Sequence, residues 1–242
     1  MRVNYFDEPV ATRYDAELGE LGESATIDVA VDFLVEHASG GTALELGIGT
    51  GRIALPLHER GTEVAGIDLS EAMVAQLRNK PGGQAIDVVI GDFAHAQVPG
   101  RFRIVYLVYN TIENLTEQDE QVACFRNAAA HLEPDGRFVI EVGMPDLQRL
   151  PAGERFRPFT VTSKHLGIDE YDIVNQGLVS HHYRVDDDRV TLRSYPFRYV
   201  WPAELDLMAQ LAGLRLLERW ADWDRNAFTA DSRKHISVWA KA

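Results

Sequence analysis

The run Leu44-Glu45-Leu46-Gly47-Ile48-Gly49-Thr50-Gly51 constrains the fold of this chain more than any other stretch. A short apolar strand giving way to glycines at alternate positions lets the backbone turn tightly against a ligand. The helix that follows then offers free N–H groups and a positive dipole end. Such a strand-turn-helix unit belongs in a sheet built from βα repeats, and the downstream sequence supplies them.

Apolar periodicity and turn residues predict a helix near Val10 to Leu18, a second from the N-cap Ser24 to Ser39, and a strand from Thr42 to Leu46. Helix Gly51–Arg60 and strand Glu63–Ile67 follow, then a helix capped by Ser70 with Met73, Val74 and Leu77 as its apolar stripe. Strands Ala85–Ile90 and Arg103–Val108 lead to helix Glu117–Leu132, with Thr116 and Asp119 at capping-box spacing, and to strand Arg137–Val142. After Met144-Pro145 the pattern changes to period-two stretches at Phe156–Thr162, Tyr171–Val174, Leu178–Val185 and Arg189–Val200, an antiparallel insert. Helix Ala203–Ala212 and strands Leu214–Trp220 and His235–Ala240 complete the chain. The expected fold is α/β: a Rossmann-like, seven-stranded, mostly parallel sheet with helices on both faces, its last strand pair open to an antiparallel run. The 242 residues, 45% hydrophobic, suffice for one domain over 1–242, with residues 145–201 as an inserted antiparallel β lid.

Composition narrows the function. A formal charge of −13 repels phosphate backbones, and no basic patch offsets it, so no nucleic-acid partner is expected. No apolar run approaches the roughly 18 residues that span a bilayer, and the first twenty residues hold no apolar signal core. No membrane partner and a cytoplasmic location are therefore expected. The single cysteine, Cys124, reads as a small helix residue. Eight histidines without zinc spacing suggest no metal site, and Asp186-Asp187-Asp188 reads as a hairpin turn.

The glycine spacing argues against a dinucleotide site, because G-x-G-x-x-G counted from Gly47 meets Arg52 at its third glycine. Glu45 also puts a carboxylate beside the loop, which suits an ammonium or sulfonium better than a pyrophosphate. Asp68 ends the second strand, where an acid can accept from both ribose hydroxyls of an adenosyl group. Asp92 and Phe93 end the third, able to accept from an adenine amino group and to pack on its ring. Glu45 to Gly51, Ile67-Asp68-Leu69-Ser70-Glu71-Ala72-Met73, Gly91-Asp92-Phe93 and Leu132-Glu133-Pro134-Asp135-Gly136 together resemble the ordered motifs of class I S-adenosylmethionine-dependent methyltransferases over residues 42–142. The resemblance implies S-adenosylmethionine as cofactor and S-adenosylhomocysteine as product. It implies that Glu45, Gly47, Gly49 and Gly51 surround the methionine portion and that Asp68 holds the ribose. Leu69 and Met73 would line the adenine, Asp92 and Phe93 would fix its amino group and ring, Val108 would also bind the cofactor, and Tyr14 would cover it.

The segment Val108-Tyr109-Asn110-Thr111-Ile112-Glu113-Asn114 lacks the Pro-Pro-aromatic pattern of nucleic-acid amino-methyltransferases. It is similar to glycine N-methyltransferase and the sugar-amine N-methyltransferases, with Asn110, Thr111 and Asn114 at acceptor-lining places and Glu113 as a departure. The implied activity is methyl transfer to a nitrogen or oxygen of a small molecule. An amine needs no dedicated base, whereas a hydroxyl would want one. Glu141, in an apolar strand, and either His181 or His182 are the candidates, with Asn110, Glu141 and His181 taken as the catalytic set. A cofactor-binding scaffold without turnover and an NAD(P)-dependent oxidoreductase remain as alternatives.

Overall fold

The computed structural model describes residues 3–17, 24–186 and 189–242. Helices α1 (Glu8–Glu17) and α2 (Ser24–Ala38) precede β1 (Ala43–Leu46). The alternation then runs α3 (Ala54–Glu59), β2 (Val64–Asp68), α4 (Glu71–Arg78), β3 (Asp87–Ile90), β4 (Phe102–Leu107), α5 (Gln118–His131) and β5 (Leu132–Gly143). Strands β6 (Phe156–Val161), β7 (His165–Asp172), β8 (Gly177–Asp186) and β9 (Arg189–Arg198) form a sheet of their own. Helix α6 (Pro202–Leu211) and strands β10 (Leu214–Trp220) and β11 (Lys234–Lys241) close the chain.

The main sheet has the order β10-β11-β5-β4-β1-β2-β3. Its pairs are parallel except those of β11, which runs antiparallel to both β5 and β10. The chain leaves β1 outward to β2 and β3 and returns to β4 on the other side. That reversal opens a crevice beyond the carboxyl ends of β1 and β4. Strand alternation divides the core: Leu44, Leu46, Val105, Leu107, Phe138 and Ile140 face α5 and α6, while Ala43, Ile104, Tyr106 and Val139 face α2 and α3. Glu45 shares the second face, and so meets Tyr106.

Local signals act much as read, with small displacements. Ser70 caps α4 by accepting from the Met73 N–H at 3.2 Å. The capping box of α5 sits one residue later than expected, at Glu117 and Glu120, because two glutamates at the required spacing follow Thr116. The strand expected over 171–174 instead occupies His165–Asp172. Asp172 Oδ1 accepts from the N–H groups of Val174 and Asn175, and this side-chain turn bends the chain before Ile173 and Val174 can pair, leaving both exposed. Of the hairpin expected at Asp186-Asp187-Asp188, positions 187 and 188 lie outside the described residues, as does Leu18 at the end of the first predicted helix. Among the described residues no helix is long and apolar enough to cross a membrane, and no three His, Cys, Asp or Glu side chains gather as a metal site.

Candidate active site

The crevice is floored by the turn after β1. Gly47, Gly49 and Gly51 all take positive φ, at 77°, 55° and 78°. A Cβ on Gly47 would lie 2.6 Å from Thr111 Cγ2, and one on Gly51 would lie 2.3 Å from Leu77 Cδ1. Side chains are thus excluded at both positions by space as well as by backbone conformation. Asp68 reaches across from β2: its Oδ2 accepts from the Gly49 N–H at 2.7 Å and its Oδ1 from the Ser70 N–H at 2.8 Å. Burial nevertheless raises its carboxyl above the ordinary carboxylate range, outweighing those backbone hydrogen bonds.

Glu45 departs from the electrostatic expectation. Its side chain is fully buried, and it accepts from the Tyr106 hydroxyl at 3.0 Å. Burial pushes its carboxyl up to about 8, against the lowering effects of Tyr106, Arg52 and the Ala54 N–H. A largely neutral acid therefore stands beside the loop at pH 7 until a cation arrives to favour its ionised form.

Tyr14 lines the same cleft with Glu45, Gly47, Gly49 and Val108. Burial pushes its phenol up to about 12. Helix α1 is tied across the glycine turn: Thr50 Oγ1 donates to Asp15 Oδ1 at 2.6 Å, and Lys80 Nζ reaches Asp15 at 2.6 Å and the Thr50 carbonyl at 2.8 Å. Phe6 completes the tie, its carbonyl accepting from Ser70 Oγ at 2.5 Å. These contacts join parts of the chain far apart in sequence, and composition alone does not announce them.

On the adenine side, Leu69 is half-buried and Met73 is buried, its Cε directed to the open side of Gly49. Asp92 Oδ1 accepts from the Ala94 N–H at 2.9 Å and shapes the turn after β3. Phe93 is buried in the apolar core with Leu46, Ile67 and Ala94.

At the end of β4 the backbone is strained, with Tyr109 and Asn110 consecutive non-glycine residues at φ 60°. Glu141 holds them: its Oε2 accepts from the Tyr109 N–H at 3.1 Å and its main-chain carbonyl from the Asn110 N–H at 3.3 Å. Its Oε1 accepts from Lys234 Nζ at 2.7 Å and from Trp223 Nε1 at 3.2 Å. The carboxylate expected to serve as a base is thus engaged as an anchor, because the neighbouring strand β11 and the loop before it supply a cation and an indole. The Asn110 side chain is engaged too, Oδ1 accepting from the Gly143 N–H at 2.7 Å. The Arg52 guanidinium covers the Tyr109 ring, 4.5 Å from its centroid.

The β6–β9 sheet has two faces. Asp169 pairs with Ser180, and Ser180 with Tyr195, so these side chains share a face with Tyr171 and His182. Tyr195 meets Tyr5 at 6.3 Å between ring centroids and Arg193 meets Asp7 at 3.2 Å, which turns this face toward the N-terminal segment. Glu113, on the 3₁₀ turn Thr111–Asn114, lies beneath it: burial, and then the charge of Asp169, raise its carboxyl to about 8. His181 points the other way, its Nδ1 2.8 Å from Ser194 Oγ and its Nε2 3.3 Å from Glu170 Oε2. This corrects the choice of His181: alternation allowed one of the two histidines to face inward, and the register selects His182. Asp169, Ser180 and Tyr171 were missed because the strand that carries Asp169 begins six residues before the predicted one.

A mostly parallel seven-stranded sheet with a side-chain-free cradle after β1 and an acid at the end of β2 defines the Rossmann-like enzymes that use an adenosyl cofactor. Residues 43–136 match the family described as a methyltransferase domain. The solved CcbJ methyltransferase of Streptomyces caelestis is 39% identical, with 96% of each chain covered and a TM-score of 0.87. The chain belongs to the class I S-adenosylmethionine-dependent methyltransferases. The cypemycin N-terminal methyltransferase of a Streptomyces species is 29% identical over 96% of both chains. An amino pentose methyltransferase from Micromonospora echinaspora, solved with S-adenosylmethionine bound, shares the fold at a TM-score of 0.71 and 18% identity over the full length of both chains.

Proposed function

We propose that the enzyme transfers the methyl group of S-adenosylmethionine to an amine nitrogen of a small molecule. The observation that carries this reading is Glu113, a largely buried carboxyl beneath the inner face of the β6–β9 sheet with Asp169 as its charged neighbour. Two acids in that position favour a cationic acceptor. The N terminus is the place of methylation named for the cypemycin relative, and an amino pentose the substrate named for the Micromonospora enzyme. Of the two side chains expected as a base for a hydroxyl acceptor, Glu141 has its oxygens engaged and His181 faces away.

In this reading Gly47, Gly49 and Gly51, with Glu45 and Val108, surround the methionine portion of the cofactor, and Asp68 accepts from the ribose hydroxyls. Leu69 and Met73 flank the adenine, Asp92 and Phe93 border its amino edge, and Tyr14 closes the cleft from α1. The β6–β9 sheet, within residues 145–201, serves as the lid that keeps water from the acceptor. The cofactor supplies a methyl group on a sulfonium already primed to leave. The protein therefore contributes mainly alignment, which for well-oriented reactants is worth roughly 7–11 kcal/mol of barrier.

The test supplies labelled methyl donor with glucosamine, proline and a tripeptide bearing a free N terminus, beside hydroxyl analogues of each. Label on the amines supports the reading, and label confined to the hydroxyl compounds overturns it. Glu113→Gln is expected to lower kcat/KM for the amine by about 10–100-fold, with unchanged affinity for S-adenosylhomocysteine. Because burial and Asp169 raise the Glu113 carboxyl to about 8 and it acts as the anion, kcat/KM should rise with pH through that value. That limb should be missing in Glu113→Gln.

A further inference from the structure

The inner face of the lid carries a line of hydrogen-bonding side chains that cofactor binding leaves unused. Asp169 faces Glu113, and the Ser180 hydroxyl is hydrogen-bonded to the Asp169 carboxyl on the adjacent strand. Ser180 Oγ lies 3.3 Å from His182 Nε2, and His182 Nδ1 lies 3.0 Å from His165 Nε2. The two imidazoles stack at 5.1 Å and 15°, and Phe159 packs edge-on against His182 at 5.3 Å. Gly167 makes that packing possible, since a Cβ there would lie 2.3 Å from the Phe159 ring. His165 opens β7 directly after the exposed turn 162–164, so the line runs from the buried cleft to the rim of the lid.

We propose that Asp169, Ser180, His182 and His165 form a proton exit path that carries the acceptor's proton from the cleft to solvent. The path rests on the amine reading, because an alkylammonium must lose a proton before its nitrogen can react. The ammonium, held beside Glu113, gives that proton to the Asp169 carboxylate. The freed lone pair forms the C–N bond, the C–S bond breaks with its electron pair going to sulfur, and the products are the methylated ammonium and S-adenosylhomocysteine. Once protonated, Asp169 donates to Ser180 Oγ, which frees the serine hydrogen to donate to Nε2 of a His182 protonated on Nδ1, whose Nδ1–H donates to His165 Nε2. In that arrangement a proton leaving Asp169 advances one bond at each link and emerges at His165. Asp169 is the catalytic residue here, and Ser180, His182 and His165 act through it. The titratable groups sharing this face are Arg157, Tyr171, Arg184, Asp186, Arg189, Arg193 and Tyr195, with Glu113 opposite on the 3₁₀ turn and Tyr5 and Asp7 on the N-terminal segment.

The path is tested with whichever of glucosamine, proline or the tripeptide the wild-type enzyme methylates. Ser180→Ala, His182→Gln and His165→Gln are each expected to lower kcat by about 10–100-fold. KM for the amine and affinity for S-adenosylhomocysteine should stay within about twofold, and imidazole added to the buffer should restore kcat in the two histidine variants. A structural role would not give that rescue. Unchanged kcat in all three variants, or a loss that imidazole does not relieve, overturns the path while leaving the amine reading intact. A wild-type enzyme that methylates none of the amines removes the reading and the path together.

Discussion

Asp68→Ala is expected to raise the dissociation constant for S-adenosylhomocysteine by about 100-fold, which is about 2.7 kcal/mol. The lost carboxylate acts on binding and on stability separately. In the protein as it stands, the two Asp68 oxygens accept from the N–H groups of Gly49 and Ser70. They thereby join the glycine turn to the N-cap residue of α4. Alanine removes the proposed acceptor for the ribose hydroxyls and also leaves those two amides without their partner. Hydrogen bonds to a charged group contribute roughly 1.5–3 kcal/mol, so losing the ribose acceptor alone reaches the stated size, while the two stranded amides weaken free and bound protein alike and register in stability. Asp68→Asn keeps one carbonyl oxygen and should fall between the two. Calorimetric titration with S-adenosylhomocysteine measures the change, and thermal unfolding of each variant shows whether the turn itself has collapsed. A dissociation constant within twofold of wild type, in a variant that melts normally, would refute the assignment of Asp68 to the ribose.

Features that depend on neighbours in sequence were legible before the structure. The order of strands and helices through β5, the glycine cradle, the cap at Ser70 and the acid at the end of β2 all follow from apolar period and turn chemistry over a dozen residues or fewer. Features that depend on what the fold brings alongside were not. Glu141 looks like a stranded acid in its own segment, and only the return of β11 ninety-three positions later delivers Lys234 to it. The hydroxyl that hydrogen-bonds the buried Glu45 carboxyl belongs to Tyr106, sixty-one positions away on the neighbouring strand. For His181 and His182, alternation announces that one faces inward, but which one depends on the pairing of Asp169 with Ser180. That pairing was hidden because a glycine and two acids interrupt the apolar pattern of β7. The left-handed pair Tyr109-Asn110 has no local signature either, since its strain is sustained by hydrogen bonds from β5.

The largest stability effect is expected at Glu204→Leu, which should cost about 3–5 kcal/mol. Arg198, at the end of β9, has a side chain only 6% exposed, and its Nη2 donates to Glu204 Oε1 on α6 at 2.7 Å. The pair sits in a network rather than alone. Arg198 Nη1 donates to Gln121 Oε1 on α5 at 2.5 Å, and Gln176, at the turn before β8, donates to Glu204 Oε2 at 2.7 Å. Gln121 in turn donates to the carbonyl of Ile112 at 3.3 Å, on the 3₁₀ turn that carries Glu113. Removing Glu204 strands a guanidinium that cannot shed its charge, and the groups around it cannot replace a carboxylate. Because the network joins the lid sheet to α5, α6 and the 3₁₀ turn that carries Glu113, KM for the acceptor should rise along with the loss of stability. Replacing both members, as in Arg198→Met with Glu204→Leu, should recover most of the stability, since a buried pair contributes little beyond an apolar pair of similar volume. The pH dependence supplies an independent check. Burial raises the Glu204 carboxyl, but the hydrogen bonds from Arg198, Gln176 and Gln118 outweigh it and leave the group below its ordinary value. A carboxylate depressed in the folded state contributes stability above its unfolded pKa of about 4.3, and that contribution is lost as pH falls through the folded value. Wild type should therefore lose stability more steeply than Glu204→Leu on acidification below about 4.3. Parallel acid-denaturation curves for the two proteins would show that Glu204 is not the linked group.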